Sequence, residues 1–245
     1  MTWLPQRLSV SAVDLYTRCP AAYRRRYLDG VQDPPTPPMA FGRVMAHALE
    51  QLHRGADGDL AFVLEYGKVA QELQASGQTM SPRLKHGLAL LDLYRQRGIE
   101  QGEPEARFEL HLPSGLVPVP ILGYLDVLTP TAVIEFKTSA GGWDQGRADS
   151  SPQAAVYRWA YTRLTGRKPQ EVRFIVMSTR AARIDEYVTY PAGPEIQLWE
   201  LQAATVWRGV RDGHFEPKCR RCPACLEAGI QLPLKAPAPT WEMPE

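Results

Sequence analysis

The 245-residue chain has almost no net charge, no long apolar run and few cysteines, four in all. With 28 Lys+Arg against 27 Asp+Glu it carries +1. Bulk charge therefore announces no polyanionic partner, and any basic surface must be local. No apolar stretch approaches the roughly 18 residues of a membrane span. The start, MTWLPQRLSVSAVDLYTRCP, has no charged segment leading into an apolar one, as a secretory leader would. A soluble, cytoplasmic protein with no membrane partner is expected. In such a setting four cysteines point to metal before disulfide. G-x-x-x-x-G-K-[ST] is also missing, which excludes a P-loop ATPase. Internal repeats are not visible.

What is present is ample for a core: 44% apolar residues and six Trp. The length fits one domain over 1–232, with 233–245, Pro-rich, read as a flexible tail. Ser11 with Asp14 reads as a capping box opening a helix toward Cys19 that resumes through Tyr27. Residues 32–38 carry four prolines and read as a loop. Phe41–Arg54, 59–75 and 82–101 read as helices, the last with Pro82 at its first position, and Gly102 closes this helical part (about 10–102). The period then shortens. Ala106–Leu112, Val117–Leu128 and Ala132–Thr138 read as strands, and 141–151 as a loop. Pro152–Leu164 reads as a helix, Val172–Ser178 with Arg183–Tyr190 as a strand pair, and Pro194–Asp212 as a last helix. The strand part spans about 105–190, and the last helix with the cysteines 194–226. This order predicts an α/β fold, a mixed central sheet flanked by helices.

Core packing does not ask for Asp126 at the end of one apolar strand and Glu135-x-Lys137 at the end of the next, because Asp, Glu and Lys are seldom buried. Adjacent strands so arranged bring two carboxylates and an ammonium to one point. Residues 135 and 137 share a face, since side chains alternate with period two. Asp126 and Glu135, with the Phe136 backbone carbonyl, are suited to Mg²⁺ or Mn²⁺, which takes oxygen ligands and keeps several waters. Lys137 would orient a water or neutralise charge building on a phosphate. An isolated E-x-K is most often a surface ion pair; the upstream Gly123-Tyr-Leu-Asp126 at hairpin distance reverses that reading.

These residues carry a resemblance that covers nearly the whole chain. LSVSAVDLYTRCPAAYRRRYL, FGRVMAHALE, GYLD, IEFKTS, Gln153-Ala-Ala-Val-Tyr157 and the terminal cysteines are similar to the RecB-type branch of the PD-(D/E)XK nuclease superfamily. The resemblance implies a restriction-endonuclease-like core with an N-terminal helical elaboration. It implies that His47 is a metal ligand and that Gln153 and Tyr157, one helical turn apart, contact DNA or order the lysine. Arg43, His47 and Gln51 share one helix face at i, i+4 spacing, which makes Arg43 a candidate DNA contact. Thr138 and Ser139 could bind a phosphate. Glu109 is a candidate for reaching the metal through a water.

Cys19 stands alone, while Cys219, Cys222 and Cys225 form C-x₂-C-x₂-C. One N-terminal and three C-terminal cysteines resemble the iron–sulfur subgroup, which includes AddB-type nuclease domains and CRISPR-associated RecB-like nucleases. Four thiolates satisfy a [4Fe–4S] cluster. The subgroup spaces its last two cysteines more widely, as C-x₂-C-x₅-C, and Cys₄ zinc is the alternative. Lys218, Arg220 and Arg221 interleave these ligands; Arg24–Arg26, Arg180 and Arg183 are the other basic groups. Tyr16, Tyr23, Tyr27 and Trp143 are candidates for stacking bases, with core packing the commoner role.

The resemblance thus implies a metal-dependent deoxyribonuclease, an exonuclease on single strands or DNA ends, in recombination, repair or DNA processing. It leaves open a CRISPR adaptation nuclease that trims spacer precursors. A DNA-binding module that works with a helicase or recombination partner is the alternative of another class.

Overall fold

A computed structural model describes residues 4–81, 83–190 and 193–229, the side chains of Gly193 and Pro194 excepted. Pro82 and the tail 233–245 lie outside the described residues. Five strands run β1 (Glu103–Leu110), β2 (Ile121–Leu128), β3 (Ala132–Ser139), β4 (Glu171–Ser178) and β5 (Ile184–Thr189). They lie in the sheet in chain order, all neighbours antiparallel except β3 and β4. A parallel pair needs a crossover connection, and α6 (Gln145–Asp149) and α7 (Pro152–Thr165) supply it.

Helices cover both faces. On one, Leu125, Val133, Phe174 and Val176 meet apolar residues of α1 (Val10–Arg18), α7 and α8 (Gly193–Arg211). On the other, Val127, Ile134, Ile175 and Met177 meet α3 (Pro37–His53), α4 (Gly58–Ala75) and α5 (Leu84–Gln96). Burial on both faces explains why β4, EVRFIVMS, reads as nearly continuous apolar sequence. The short α2 (Pro20–Tyr23) and a π-helical turn, Arg24–Leu28, follow α1; α9 (Pro223–Glu227) carries Cys225.

Several boundaries depart from expectation for local reasons. The first helix is capped by Ser9, whose Oγ accepts the Ala12 N–H at 3.2 Å, and not by Ser11. Leu8, just before it, is bridged to β2, donating to the Pro120 carbonyl and accepting from the Leu122 N–H. That bridge sets where the helix can begin. Pro37, expected in the loop, is instead the first helical residue of α3, where its missing N–H is harmless. α5 stops at Gln96, earlier than 101, because Gly98 turns the chain at φ +86°. β1 begins at Glu103 and ends at Leu110, and residues 117–120 are not strand. The 141–151 segment contains α6, capped by the Asp144 carboxylate on the Arg147 N–H at 2.8 Å.

Candidate functional site

The site lies where β2 and β3 part. Their pairing is confined to Val127↔Ile134 and Leu128↔Val133. At the next position Asp126 Oδ2 accepts the Phe136 N–H at 2.7 Å, so a side chain replaces the sheet ladder at the mouth of the fork. The N–H and C=O of one strand residue project to the same side, so the Phe136 carbonyl also faces the gap.

Glu135 is 4% exposed. Its Oε1 accepts from Lys137 Nζ at 2.5 Å and from Gln153 Nε2 at 3.0 Å. Its Oε2 is buried and has no hydrogen-bond partner among the described residues. Gln153 opens α7 just after Pro152 and also donates to the Tyr157 hydroxyl at 2.9 Å, so one face of that helix braces the carboxylate. Tyr157 is buried, and desolvation, then the Glu135 and Asp126 charges, holds its hydroxyl well above the usual phenol range. Burial, then the Glu135 charge, likewise pushes the Asp126 carboxyl well above its ordinary value; the Phe136 N–H and Lys137 only partly oppose this.

Glu105 belongs to the same cluster and was missed in the sequence. In the β1–β2 register it faces Asp126, between Pro104↔Val127 and Ala106↔Leu125. Its φ is +52°, a left-handed conformation uncommon for a non-glycine residue and enriched where structure over-determines the backbone. Burial, then Glu50 and Glu135, raises its pKa. Glu109, the residue read from sequence, is near the far end of β1, ion-paired with Arg107 and opposite Leu122. Only the strand register separates the two glutamates.

α3 crosses the other face of the fork. Gly42 lies so close to β3 that a Cβ there would stand 2.9 Å from Thr138 Oγ1, and His53 packs against the Phe136 ring at 5.8 Å. His47 sits between them on this helix with its side chain 41% exposed, its Nδ1 4.0 Å from Glu50 Oε2. His47 and Gln51 line a groove against α4. Arg43 is engaged by Glu72 at 2.9 Å. Among the described residues His47 does not join Asp126 and Glu135 in a tight three-ligand group.

An unpartnered buried carboxylate oxygen beside two further acids of raised pKa is chemically matched to a hard divalent cation, which supplies the missing partner and relieves like-charge repulsion. Thr138 and Ser139 line a groove running from Lys137 toward the N-terminus of α7.

The four cysteines meet although Cys19 and Cys225 are 206 positions apart. All four sulfurs lie within 4.8 Å of one another. Sγ separations are 3.5 Å for Cys19–Cys225 and 3.7 Å for Cys219–Cys225 and for Cys222–Cys19. Backbone N–H groups of Lys218, Arg220 and Cys222 point at the sulfurs of Cys19, Cys225 and Cys219. Burial raises the Cys19 thiol, but N–H donors of Lys218, Cys219 and Ala22 outweigh it and bring the pKa to about 6. Cys222 is pushed up to about 12, by desolvation and then by its sulfur neighbours. Four cysteine sulfurs this close together could hold a metal ion.

Of the stacking candidates, Tyr16 and Tyr23 are core residues in edge contact at 5.4 Å, and Tyr27 packs against Tyr23. Trp143 is half-buried against Phe174. Arg25 is tied to Asp33 and Glu227, Arg183 to Asp185, and Lys218 Nζ to the Thr17 carbonyl.

No curated protein matches the sequence significantly. Among solved structures, a provisionally named exonuclease of Eubacterium rectale aligns at TM-score 0.62 and 15% identity, over 95% of this chain and 91% of that one. A second, SSO0001, aligns at TM-score 0.38 and 18% identity, over 76% of this chain and 83% of that one. At such identities the first likeness speaks for the fold alone: a mixed five-stranded sheet flanked by helices, with helices preceding it. The sequence profile of the PD-(D/E)XK nuclease superfamily matches residues 7–226, from before the first helix to beyond the last cysteine, and the chain belongs to that superfamily.

Proposed function

We propose that the chain is a Mg²⁺- or Mn²⁺-dependent deoxyribonuclease that removes nucleotides from single strands or DNA ends. The observation that carries this is the buried, unpartnered Oε2 of Glu135, with Asp126 and the Phe136 carbonyl beside it at the fork. A divalent ion held there supplies Lewis-acid polarisation of a phosphate and a water of lowered pKa.

The chain's own residues do the rest. Glu135 and Asp126 present the ion-binding oxygens. Glu105 closes the acidic wall from β1; His47 on α3, which lines the groove against α4, would have to turn toward the fork to serve as a further ligand. Lys137, bonded to Glu135 Oε1, is placed to orient the water or meet negative charge on the phosphate. Gln153 fixes the Glu135 rotamer by occupying Oε1, which leaves Oε2 to the ion, and Tyr157 fixes Gln153. An iron–sulfur, RecB-type place in recombination or repair is part of this reading, and a helicase is its natural partner, since strand ends must be opened.

The cysteine centre has two readings, each with its own observation. The one-plus-three order with C-x₂-C-x₂-C favours [4Fe–4S]. The sulfur separations favour a single tetrahedral ion: at about 2.3 Å per Zn–S bond, sulfurs on one Zn²⁺ stand about 3.8 Å apart, close to the 3.5–3.7 Å of three of the pairs, with all four sulfurs within 4.8 Å of one another. A cubane seats each thiolate on a different iron and spreads them further. Iron or zinc content and absorbance near 400 nm of the purified chain decide between them.

The test of the main reading is digestion of 5′- and 3′-labelled linear strands and of circular strands, with and without Mg²⁺ or Mn²⁺. Metal-dependent loss of linear DNA with circles spared is expected. Equal digestion of circles would remove the end requirement, and no digestion with either metal would remove the function.

A further inference from the structure

The groove leading from Lys137 has a volume of about 600 Å³, within the range that holds a small ligand. Besides Lys137 and Gln153 its lining includes Trp143, so far only a candidate for stacking bases, and Arg147, which none of the roles assigned above uses. Arg147 is held in three ways. The Asp144 cap accepts its backbone N–H at 2.8 Å, the Gly142 carbonyl accepts from Nη1 at 2.9 Å, and the guanidinium carbon lies 4.7 Å from the centre of the Trp143 ring.

Trp143 is itself fixed from behind. Its ring packs 5.2 Å from Phe174 and 6.3 Å from Tyr187, and the Tyr187 hydroxyl donates to its carbonyl at 3.0 Å. A guanidinium carries five N–H donors in a rigid fork; one bond here goes to Gly142, and no carboxylate pairs with Arg147 among the described residues. The nearby acids are committed elsewhere: Asp14 to Arg18, Asp144 to its helix cap, and Asp149 to Gln145. Arg147 is thus a preorganised cation with no carboxylate partner among the described residues, on the wall of a groove that starts at the candidate catalytic lysine.

We propose that Arg147, seated on Trp143, binds a backbone phosphate of the substrate strand neighbouring the one cleaved. The inference rests on the nuclease reading above. A planar fork matches phosphate oxygens in pairs. Stacking on Trp143 leaves the edges of the guanidinium, where its N–H groups lie, free to face the groove. Arg147 is then a positioning residue: it sets the strand's register relative to Lys137 and takes no part in bond cleavage.

The experiment measures binding of a fluorescent single-stranded oligodeoxynucleotide to the full chain carrying Lys137→Ala, which keeps the strand uncut. Arg147→Ala, Arg147→Lys and, as a charge control on α8, Arg208→Ala are added to it. Arg147→Ala should weaken binding by about tenfold and reduce the slope of log K against log salt by about 0.7, one phosphate contact on a single strand. Arg147→Lys should restore the slope but not the affinity, because charge returns without the fork. Arg208→Ala should do neither. In the cleaving protein the Arg147→Ala effect should fall on KM more than on kcat. Unchanged affinity and slope in Arg147→Ala, with the Lys137→Ala chain still binding DNA, overturns this inference alone. A Lys137→Ala chain that binds no strand, together with a wild type that cuts none, overturns the nuclease reading and the inference with it.

Discussion

Asp126 Oδ2 takes the Phe136 N–H at 2.7 Å, at the point where β2 and β3 stop pairing. A carboxylate thereby does the work of a peptide carbonyl, and its other oxygen is left to the fork. Asp126→Asn keeps an acceptor for the N–H while deleting the charge. Metal-dependent cleavage should drop by about 10³-fold or more, the loss of several kcal/mol of charge stabilisation. Metal-free stability should rise by about 1 kcal/mol, or 2–4 °C in Tm, because repulsion with Glu135 and the cost of burial are relieved. Thermal melts in EDTA beside cleavage assays in Mg²⁺ check both. A lower Tm with intact cleavage would show that Asp126 serves only the sheet.

The raised pKa values of Asp126 and Glu105 fix the sign of a pH dependence. For an acid whose folded-state pKa lies above its unfolded value, the folded state binds more protons. Stability from these groups is full below the unfolded pKa, near 4, and is lost as pH rises through the folded value. In EDTA the Tm should therefore decline from mildly acidic toward neutral pH. Metal reverses this, because ligands must be deprotonated to bind. The Tm gain from Mn²⁺ should be larger at about pH 8 than at pH 5.5, and Asp126→Asn should flatten it.

The parts of this cluster differed in how legible they were, for physical reasons. Asp126, Glu135 and Lys137 could be read because charged residues at the ends of apolar strands conflict with burial, and period-two alternation places 135 and 137 together. Gln153 and Tyr157 could be paired by helical spacing, although the bond from Gln153 to Glu135 depends on how α7 packs. Glu105 was hidden. Its closeness to Asp126 follows from a β1–β2 register set across the irregular segment 111–120, and its positive φ leaves no mark in composition. Ser9 and Ser11 offered competing caps, and a tertiary bridge at Leu8, invisible locally, decided between them. Both covering layers of helix and the succession of strands along the chain followed from periodicity; the ends of elements moved, as at Gly98, where a glycine's freedom overrode a continuing apolar pattern, and the short helix α6 formed inside the segment expected as a loop.

Gln153 touches both Glu135 and Tyr157, so its effect should be on orientation. Gln153→Ala should reduce cleavage by about 10–100-fold, the range for losing a group that orients a metal ligand. Tm should change little, since Gln153 is only part-buried. Raised Mg²⁺ should recover part of the rate, because the loss lies in holding Glu135. A rate insensitive to metal concentration would assign Gln153 to the DNA strand instead.

Gly123, the glycine of the Gly-Tyr-Leu-Asp segment, is required by packing and not by its backbone angles. A Cβ there would lie 2.3 Å from the ring of Phe108 on the neighbouring strand, directly opposite in register. Gly123→Ala should cost about 1–3 kcal/mol through overpacking. Phe108→Leu, by removing the ring, should recover part of that loss in the double variant, an interaction that a double-mutant cycle in urea would measure. Additive losses would show that the strand yields elsewhere.

Cys225 is fully buried and close to both Cys19 and Cys219, so a metal there ties the segment after α8 to the end of α1. Binding of such a metal is folding free energy. Cys225→Ser should release the metal and destabilise the chain by about 3 kcal/mol or more, a fall in Tm on the order of 10 °C. Asp126, Glu135 and Lys137 lie on strands that the cysteines do not touch, so cleavage at low temperature should persist in the fraction that remains folded. Metal content, Tm and cleavage measured on the same preparation separate the two centres. Cleavage lost in step with the cysteine-bound metal, at a temperature where the chain is still folded, would instead join them into one functional unit.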